Sequence, residues 1–514
     1  MTENIPWDKL SEPNSGLGQL RRGIEKESLR ITADGTLSGA AHPTCLGSAL
    51  THPFITTDFS EAQLELITGI HESATACLDE LEATHAFVHH CLESEMLWPS
   101  SMPCILAANE NQIPLGQYGS SNIGRAKTIY RRGLGYRYGR LMQTISGIHY
   151  NFSVPDSLWQ TLGVTSQTEI TANYFGLIRN FKRWSWLLFY LFGASPAVCQ
   201  TFLANDKHGL REFLPGTFYL PHATCLRMGP LGYISEAQHQ LSVSYNSLAD
   251  YSASLAQALT EQYPPYANLG ADTLDTEPYP QLNSALLQIE NEFYSTIRPK
   301  RTTQSGERPL QALDGRGVEY VEVRCVDLNP LQPIGIEATQ VRFLDVFLVA
   351  CLLNPSAMDT ATEIAAVQAN ELAVVANGRD PVLELIRDGQ SIGLREWANA
   401  ILDLCEPVAE AIDAAGNGIE HRQALAEQRH KVTDVSLTPS AQMLDAIEEC
   451  GSFFNYSMQY SQAHKAYFAA HPLTASALQR QQESAALSHV RQEEIETEET
   501  QAFEAFLDQY LATR

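Results

Sequence analysis

Glu25 and Glu27 stand two apart in "RRGIEKESLRI" (21–31), amid apolar and β-compatible neighbours. On a strand, side chains alternate between faces, so these two carboxylates share a face and repel each other. The pattern recurs. "TTDFSEAQLELIT" (56–68) supplies Asp58, Glu61 and Glu65, and strand spacing puts Glu61, Gln63, Glu65 and Ile67 on one face against Leu64 and Leu66. "GIHYNFSV" (147–154) sets His149 and Asn151 opposite Ile148, Tyr150 and Phe152. "GVEYVEVRCVDL" (317–328) sets Tyr320, Glu322 and Arg324 opposite Glu319, Val321 and Val323. If these four segments adjoin in one sheet, their polar faces form a ring of carboxylates around an imidazole. A hard divalent cation is the natural compensation, and this donor set suits Mg²⁺ or Mn²⁺ better than structural zinc. One such pair alone also fits a solvated face or the acid and base of a glycosidase. Recurrence, with basic residues nearby, favours the cation.

Those basic residues are specific. "RAKTIYRRGLGYRYGR" (125–140) carries Tyr130, Arg131 and Leu134 within a run of six Arg or Lys and three Tyr. "CLRMGPLGYI" adds Arg227 and Tyr233, and "YSTIRPKR" adds Tyr294, Arg298, Lys300 and Arg301. Arg324 shares its strand face with Glu322. The planar fork of arginine recognises carboxylate and phosphate. Clustered acids beside separate arginines equip a site for phosphoryl transfer, where positioning and charge neutralisation supply most of the catalysis. No P-loop or kinase signature is present. The polar stretch 298–317 is expected to be a mobile functional loop.

The elements that must position these residues follow from periodicity. Strands are expected around 17–70, at 146–154, at "ALLQIENEFYSTI" and at 317–328, and helices at 73–97 (capped by Ser73 or Thr75), 120–144 and 245–263. The 166–213 region is expected to be helical with a restart at "GASPAV", where Ser195 and Pro196 suit a cap and first turn. From about 335 onward the pattern is helical almost to the end, closing on one or two exposed amphipathic helices. The fold class is α+β. A chain of 514 residues, 44% hydrophobic and 18% charged, has ample material for a core. A net charge of -26 argues against nucleic-acid and membrane-surface partners. "WSWLLFYLFGA" (184–194) and "FLDVFLVACLL" (343–353) fall short of the ~20 residues of a membrane span, so buried helices are expected. Ten cysteines without a C-x-x-C, most in apolar runs, and an N-terminus unlike a signal peptide read as a reduced, cytoplasmic chain.

"GIEKESLRI", "THPFITTDFSEAQLELIT", "LWPSSMPC", "QYGSSNIGRAKTIYRRGL", "RYGRLMQTISGIHYNFSVP", "LFGASPAVC", "QIENEFYSTIRPKR" and "GVEYVEVRCVDLNPLQPIGI" together resemble the proteobacterial glutamate–cysteine ligases, closely from about residue 17 to 345. The resemblance implies a glutamine-synthetase-like fold, with an antiparallel sheet curved into a funnel and surrounded by helices. It implies a catalytic core over 1–345 with helical insertions, and a mainly helical region over 346–514 packed on it. It further implies ATP- and Mg²⁺-dependent joining of the L-glutamate γ-carboxyl to the L-cysteine amine through a γ-glutamyl phosphate. The alternative is another carboxylate–amine ligase of that fold using a different amine.

Carried over by position, Glu25, Glu27, Asp58, Glu65, His149 and Glu322 look like the metal-binding set, with Glu322 and Arg324 as catalytic groups. Arg324 is implied to steady the transferring phosphoryl group. Gln143, Asn151 and Glu65 are implied to contact glutamate. Tyr130, Arg131, Leu134, Arg227, Tyr233 and Tyr294 resemble a cysteine pocket, with Phe59 as an apolar wall. Arg298, Lys300 and Arg301 are implied for nucleotide phosphates. A monomer is expected, and the resemblance implies feedback inhibition by glutathione.

Overall fold

In a computed structural model, the strand β1 (Arg21–Ile31) lies at the centre of the main sheet. The structure describes residues 5–512 except 107–108, 204–207, 233–235, 240, 270–277 and 305–306. The remaining strands are β2 (Ile55–Thr57), β3 (Gln63–Ile67), β4 (Met96–Leu97), β5 (Ile148–Ser153), β6 (Ala197–Cys199), β7 (Arg211–Leu214), β8 (Thr217–Tyr219), β9 (Ile297–Lys300), β10 (Tyr320–Val326), β11 (Glu384–Arg387) and β12 (Gln390–Gly393). The main sheet runs β2-β3-β1-β5-β10-β9, with β4 also paired to β1, and every pairing is antiparallel. The four acid-bearing segments therefore do adjoin, in the order β3-β1-β5-β10.

Alternation gives the sheet its two faces. Ile24, Leu64, Leu66, Ile148, Tyr150, Phe152, Val321 and Val323 are buried on the reverse face. Helices Gln167–Phe192 and Ala338–Leu353 pack there against each other, and the first packs against β9 and β10. The first is fixed at its start by a capping box of Ser166 and Glu169. Its C-terminal end, from Trp186 to Phe192, is buried all round, as is most of the second helix. Both apolar runs are thus core helices, and among the described residues no helix is long and apolar enough to cross a membrane. Ser73 caps helix Ala74–Cys91 as its spacing indicated, by accepting from Ala76 N.

Several expectations are corrected. "GASPAV" does not restart a helix: the Ser195 hydroxyl donates to Asp327 Oδ2 at 2.7 Å, and Ala197–Cys199 pairs with β8 in a separate sheet ordered β6-β8-β7. "ALLQIENEFYSTI" is not a strand before Ile297. Its acids are drawn into buried ion pairs, Glu290 with Arg308 at 2.6 Å and Glu292 with Arg137 at 2.8 Å, and residues 290–292 form a 3₁₀ turn. The stretch 298–317 is largely built into β9 and helix Pro309–Arg316, so it is not one long loop, and residues 305–306 lie outside the described residues. The helical C-terminal region is interrupted by the β11–β12 hairpin. The fully reduced reading also fails at one place: Cys104 and Cys199 are bonded as a disulfide, with Cα atoms 5.4 Å apart.

Buried histidines give the fold a pH dependence. Burial, reinforced by neighbouring basic groups, lowers His42, His52 and His464 to about 4 and His89 to about 3. Their unfolded values lie near 6.5, so across that window the unfolded chain binds more protons than the folded one. Their contribution to stability is complete above the unfolded value and is lost as pH falls toward the folded values. The urea midpoint should therefore drop between about pH 6.5 and 4, and His464→Gln should flatten that drop. An identical pH profile in His464→Gln would remove His464 from this account.

Candidate active site

Register places the polar residues of the front face in opposed pairs. Glu27 lies across from Glu65 on β3, Glu25 across from His149 on β5, and Glu322 across from both Asn151 on β5 and Arg298 on β9. Directly opposed residues of antiparallel strands project from the same face. The question raised by two neighbouring glutamates on β1 has a geometric answer: the His149 ring sits between them. Its Nδ1 is 3.1 Å from Glu25 Oε2 and its Nε2 is 3.7 Å from Glu27 Oε1. Glu25, His149 and Glu322 each offer a ligand atom within 4.8 Å of the others, and Glu27, Glu65 and His149 form a second such group. His149 belongs to both.

The two halves of this cluster differ in charge balance. On the β10 side, burial would raise Glu322, but Lys300 (3.2 Å) and Arg324 (3.1 Å) hold it well below the usual carboxylate range. Glu25 is likewise lowered, burial being outweighed by the hydrogen bond and charge of His149 together with the charge of Lys300. On the β3 side the nearby cations, Arg227 and His149 for Glu27 and Arg131 for Glu65, weigh less than burial and the neighbouring acids. Burial, with the charge of Asp58, pushes Glu27 up to about 7, and burial with Glu25, Asp58 and Glu27 raises Glu65 well above the ordinary value. Surplus negative charge here is what a bound cation would remove. The donor set of carboxylates and one imidazole fits a hard divalent ion. Asn151 donates to Glu25 at 2.9 Å, while its buried Oδ1 has no partner among the described residues, a further sign of a polar guest.

Glu61, expected on the same face as Glu65, precedes β3 and serves the loops instead. Its carboxylate accepts from His42 N at 2.9 Å and Gln117 N at 2.8 Å. Asp58 follows β2 and lies close enough to raise both Glu27 and Glu65. Arg131 donates to the backbone carbonyls of Asp58 and of Thr57, and its guanidinium lies 4.4 Å from the Tyr118 ring centroid. Phe59 and Leu134 are buried in one small apolar cluster, with Tyr130 packed against it.

Gln143 donates to the Tyr294 hydroxyl at 2.7 Å, and Tyr294 N donates to Gln238 Oε1 at 2.9 Å. Gln238 in turn donates to the Tyr138 hydroxyl at 3.0 Å, which donates to Glu292 at 2.7 Å. Arg227 is buried and paired with Asp327 at 2.7 Å. It runs so close to Gly147 that a Cβ there would come within 2.7 Å of the guanidinium, which accounts for glycine at that position. Arg298 is buried and donates to the carbonyls of Asn291 and Phe293, whereas Arg301 reaches outward to Glu319 at 3.6 Å. Tyr233 lies outside the described residues.

The spacing argument missed the groups that hold these side chains from behind. Asp327 and Gln238 fix the candidates Arg227 and Tyr294, and Glu292 holds Arg137 and Tyr138, yet the three sit on a strand end, a short helix and a 3₁₀ turn with no periodic signal. Asp327, just past β10, was the nearest to legible, as an acid following the apolar end of that strand.

The fold and the family match together define a ligase. The model of the glutamate–cysteine ligase family matches residues 8–374. Glutamate–cysteine ligases of Alcanivorax borkumensis and Pseudomonas putida are 46% and 49% identical over 504 residues, spanning 96% and 97% of this chain and 96% and 95% of theirs. A crystal structure of glutamate–cysteine ligase from Francisella tularensis in complex with AMP superposes with a TM-score of 0.91 at 36% identity, covering 96% of this chain and 97% of that one. A bifunctional glutathione synthetase from Pasteurella multocida matches with a TM-score of 0.73 at 26% identity, over 94% of this chain and 57% of the longer one. The chain belongs to the glutamate–cysteine ligase family.

Proposed function

We propose that this protein joins the γ-carboxyl of L-glutamate to the amino group of L-cysteine at the expense of ATP, through a γ-glutamyl phosphate. The observation that carries the site is the row of opposed acids across β3, β1, β5 and β10, with His149 shared between its two halves. The sheet is read as a glutamine-synthetase-like funnel with this row on its inner wall. Glu25, Glu27, Asp58, Glu65, His149 and Glu322 would hold Mg²⁺, or Mn²⁺ in its place. The ions supply charge neutralisation for the nucleotide phosphates.

The chain's own residues then divide the work. Arg324, held at Glu322, presents a guanidinium to the transferring phosphoryl group, where donors aimed at developing charge act most strongly. Lys300, paired with the same carboxylate, and Arg298 and Arg301 on and beyond β9 add positive charge for the nucleotide. Gln143, Asn151 and Glu65 orient glutamate, and the orphaned Asn151 carbonyl is free to accept from its ammonium. Phe59, Tyr130 and Leu134 wall an apolar pocket for the cysteine side chain, and Arg131, Arg227, Tyr233 and Tyr294 are assigned to the same pocket. Phosphorylation turns a carboxylate oxygen into a leaving group, which the amine then displaces. The thiol does not react.

A pocket that only accepts a small apolar group discriminates by roughly ten- to two-hundredfold per methylene-sized change. L-2-Aminobutyrate should therefore replace cysteine with measurable turnover, and none at saturation would sink a merely size-selective pocket. The reading as a whole is tested by ADP formation in Mg²⁺ and glutamate, with and without cysteine. Release that follows ammonia or another amine, and ignores cysteine, would transfer the site to a different carboxylate–amine ligase. A cytoplasmic, monomeric enzyme inhibited by glutathione completes the reading, and sedimentation and rates at increasing glutathione test the last two points.

A further inference from the structure

Away from the carboxylate face, a cavity of about 450 Å³ is lined by two thiols, Cys45 and Cys91, together with His90, Glu93 and His489. It lies between the 3₁₀ turn Thr44–Leu46, the C-terminal end of helix Ala74–Cys91 and helix Ala475–Glu498. Cys45 is the one exposed free cysteine among the described residues, and five others are buried. Its Sγ is 3.8 Å from the Cys91 carbonyl oxygen. The two thiols interact with each other, and burial together with that contact raises the Cys91 thiol. Helix Ala475–Glu498 holds the turn in place: the His489 ring bonds Thr44 O at 2.9 Å, and Ser48 N donates to Ser488 Oγ at 2.8 Å. An accessible sulfur, a second sulfur beside it and an open cavity with polar walls thus occur together.

We propose that Cys45 and Cys91 form a dithiol site that reacts with low-molecular-weight disulfides bearing amino-acid arms and closes into an intramolecular disulfide. The Cys45 thiolate attacks one sulfur of R–S–S–R, forming a mixed disulfide and releasing the first R–S⁻. The Cys91 thiolate then attacks Cys45 Sγ, closing the protein bridge and releasing the second R–S⁻. The protein pair gives up two electrons, the small disulfide takes them to become two thiols, and the two protein protons pass to the released thiolates. Ring closure outcompetes a lasting mixed disulfide because the second sulfur is already adjacent. Glu93 offers a carboxylate to the ammonium of such an arm, and the His90 and His489 rings offer polar nitrogens to its carboxylate. The inference does not depend on the ligase reading.

The test uses the full reduced chain incubated with cystine and digested without reductant. A glutamate-specific protease separates Cys45, in the segment 28–61, from Cys91, in the segment 83–93. The expected product joins those two peptides with two hydrogens fewer, whereas Cys91→Ser should stall with one half-cystine on Cys45, and Cys45→Ser should give neither product. Bis(2-hydroxyethyl) disulfide, whose arms are uncharged, should react several-fold more slowly. Wild-type chain carrying a stable mixed disulfide on Cys45, or neither cysteine altered, would overturn the dithiol site. Equal rates for the two reagents would overturn the class of ligand.

Discussion

Glu322→Gln should lower turnover by at least about a hundredfold while the sheet stays folded, since loss of a hard oxygen ligand or of a charge aimed at the reaction centre costs on that order. Glu322 is the residue on which the two kinds of charge meet. Its Oε1 is 3.2 Å from Lys300 and its Oε2 is 3.1 Å from Arg324, and it belongs to the same ligand group as Glu25 and His149. An amide keeps the shape and can still accept one hydrogen bond, but it removes the negative charge that holds both cations in place. Two effects should therefore appear together: a higher Mg²⁺ concentration for half-maximal rate, and a lower rate even at saturating Mg²⁺ because Arg324 is no longer oriented. Glu25→Gln should share the first effect and show less of the second, since Glu25 is hydrogen-bonded to His149 and Asn151. Glu319→Gln is the matched control. Glu319 is exposed on the opposite face of the same segment, and its carboxylate contacts Thr302 N and Arg301. A Glu322→Gln rate within about twofold of wild type, measured as ADP release, would take this residue out of the site.

The sheet's front face was legible because it obeys a period of two on four segments, and acids at that period inside apolar runs have few innocent explanations. Strand order was not in that pattern; it came out as β3-β1-β5-β10 because the acids must face one hollow and the apolar residues one helical layer. Glu61 shows the limit of periodicity. It continues the spacing of Gln63 and Glu65, but the chain turns at Ser60, whose hydroxyl donates to Pro114 O at 2.8 Å, and Glu61 leaves the face. The false helix start at Ser195 has the same origin. A cap residue followed by proline is a local signal, and a buried acid 132 positions away claimed the hydroxyl instead. The β11–β12 hairpin, by contrast, was readable and missed. "IRDGQS" carries an Asp-Gly pair between short β-compatible runs, and Asp388 and Gly389 adopt the positive φ values of 52° and 76° that such a turn requires. Long-range partners such as Asp327 for Arg227, or Glu292 for Arg137, depend on tertiary placement and leave no mark on spacing.

Asp345→Ala should destabilise the fold by about 3–5 kcal/mol, the usual cost of removing one partner from a buried ion pair. Asp345 sits in helix Ala338–Leu353, fully buried among Leu344, Val346 and Phe347, where an uncompensated charge is not tolerated. It is compensated from the sheet. Arg22 on β1 reaches it with Nε at 3.3 Å from Oδ1 and Nη2 at 3.1 Å from Oδ2, and the Tyr150 hydroxyl on β5 donates to Oδ1 at 2.6 Å. The triad thus locks the central strands to the helical layer directly behind Glu25 and His149, which neighbour Ile24 and Tyr150 along the same strands. Alanine leaves the Arg22 guanidinium buried without its counter-charge and a cavity beneath the Tyr150 hydroxyl. Asparagine should fall between, since it can still accept from both partners without the charge. Replacing all three residues at once, as Arg22→Met, Tyr150→Phe and Asp345→Leu, should recover most of the loss, because apolar residues of similar volume need no compensation. The measurement is the urea midpoint at constant slope. Should Asp345→Ala unfold where wild type does, the triad contributes nothing to stability, and the alignment of Glu25 with His149 must be held by the strand ladder alone.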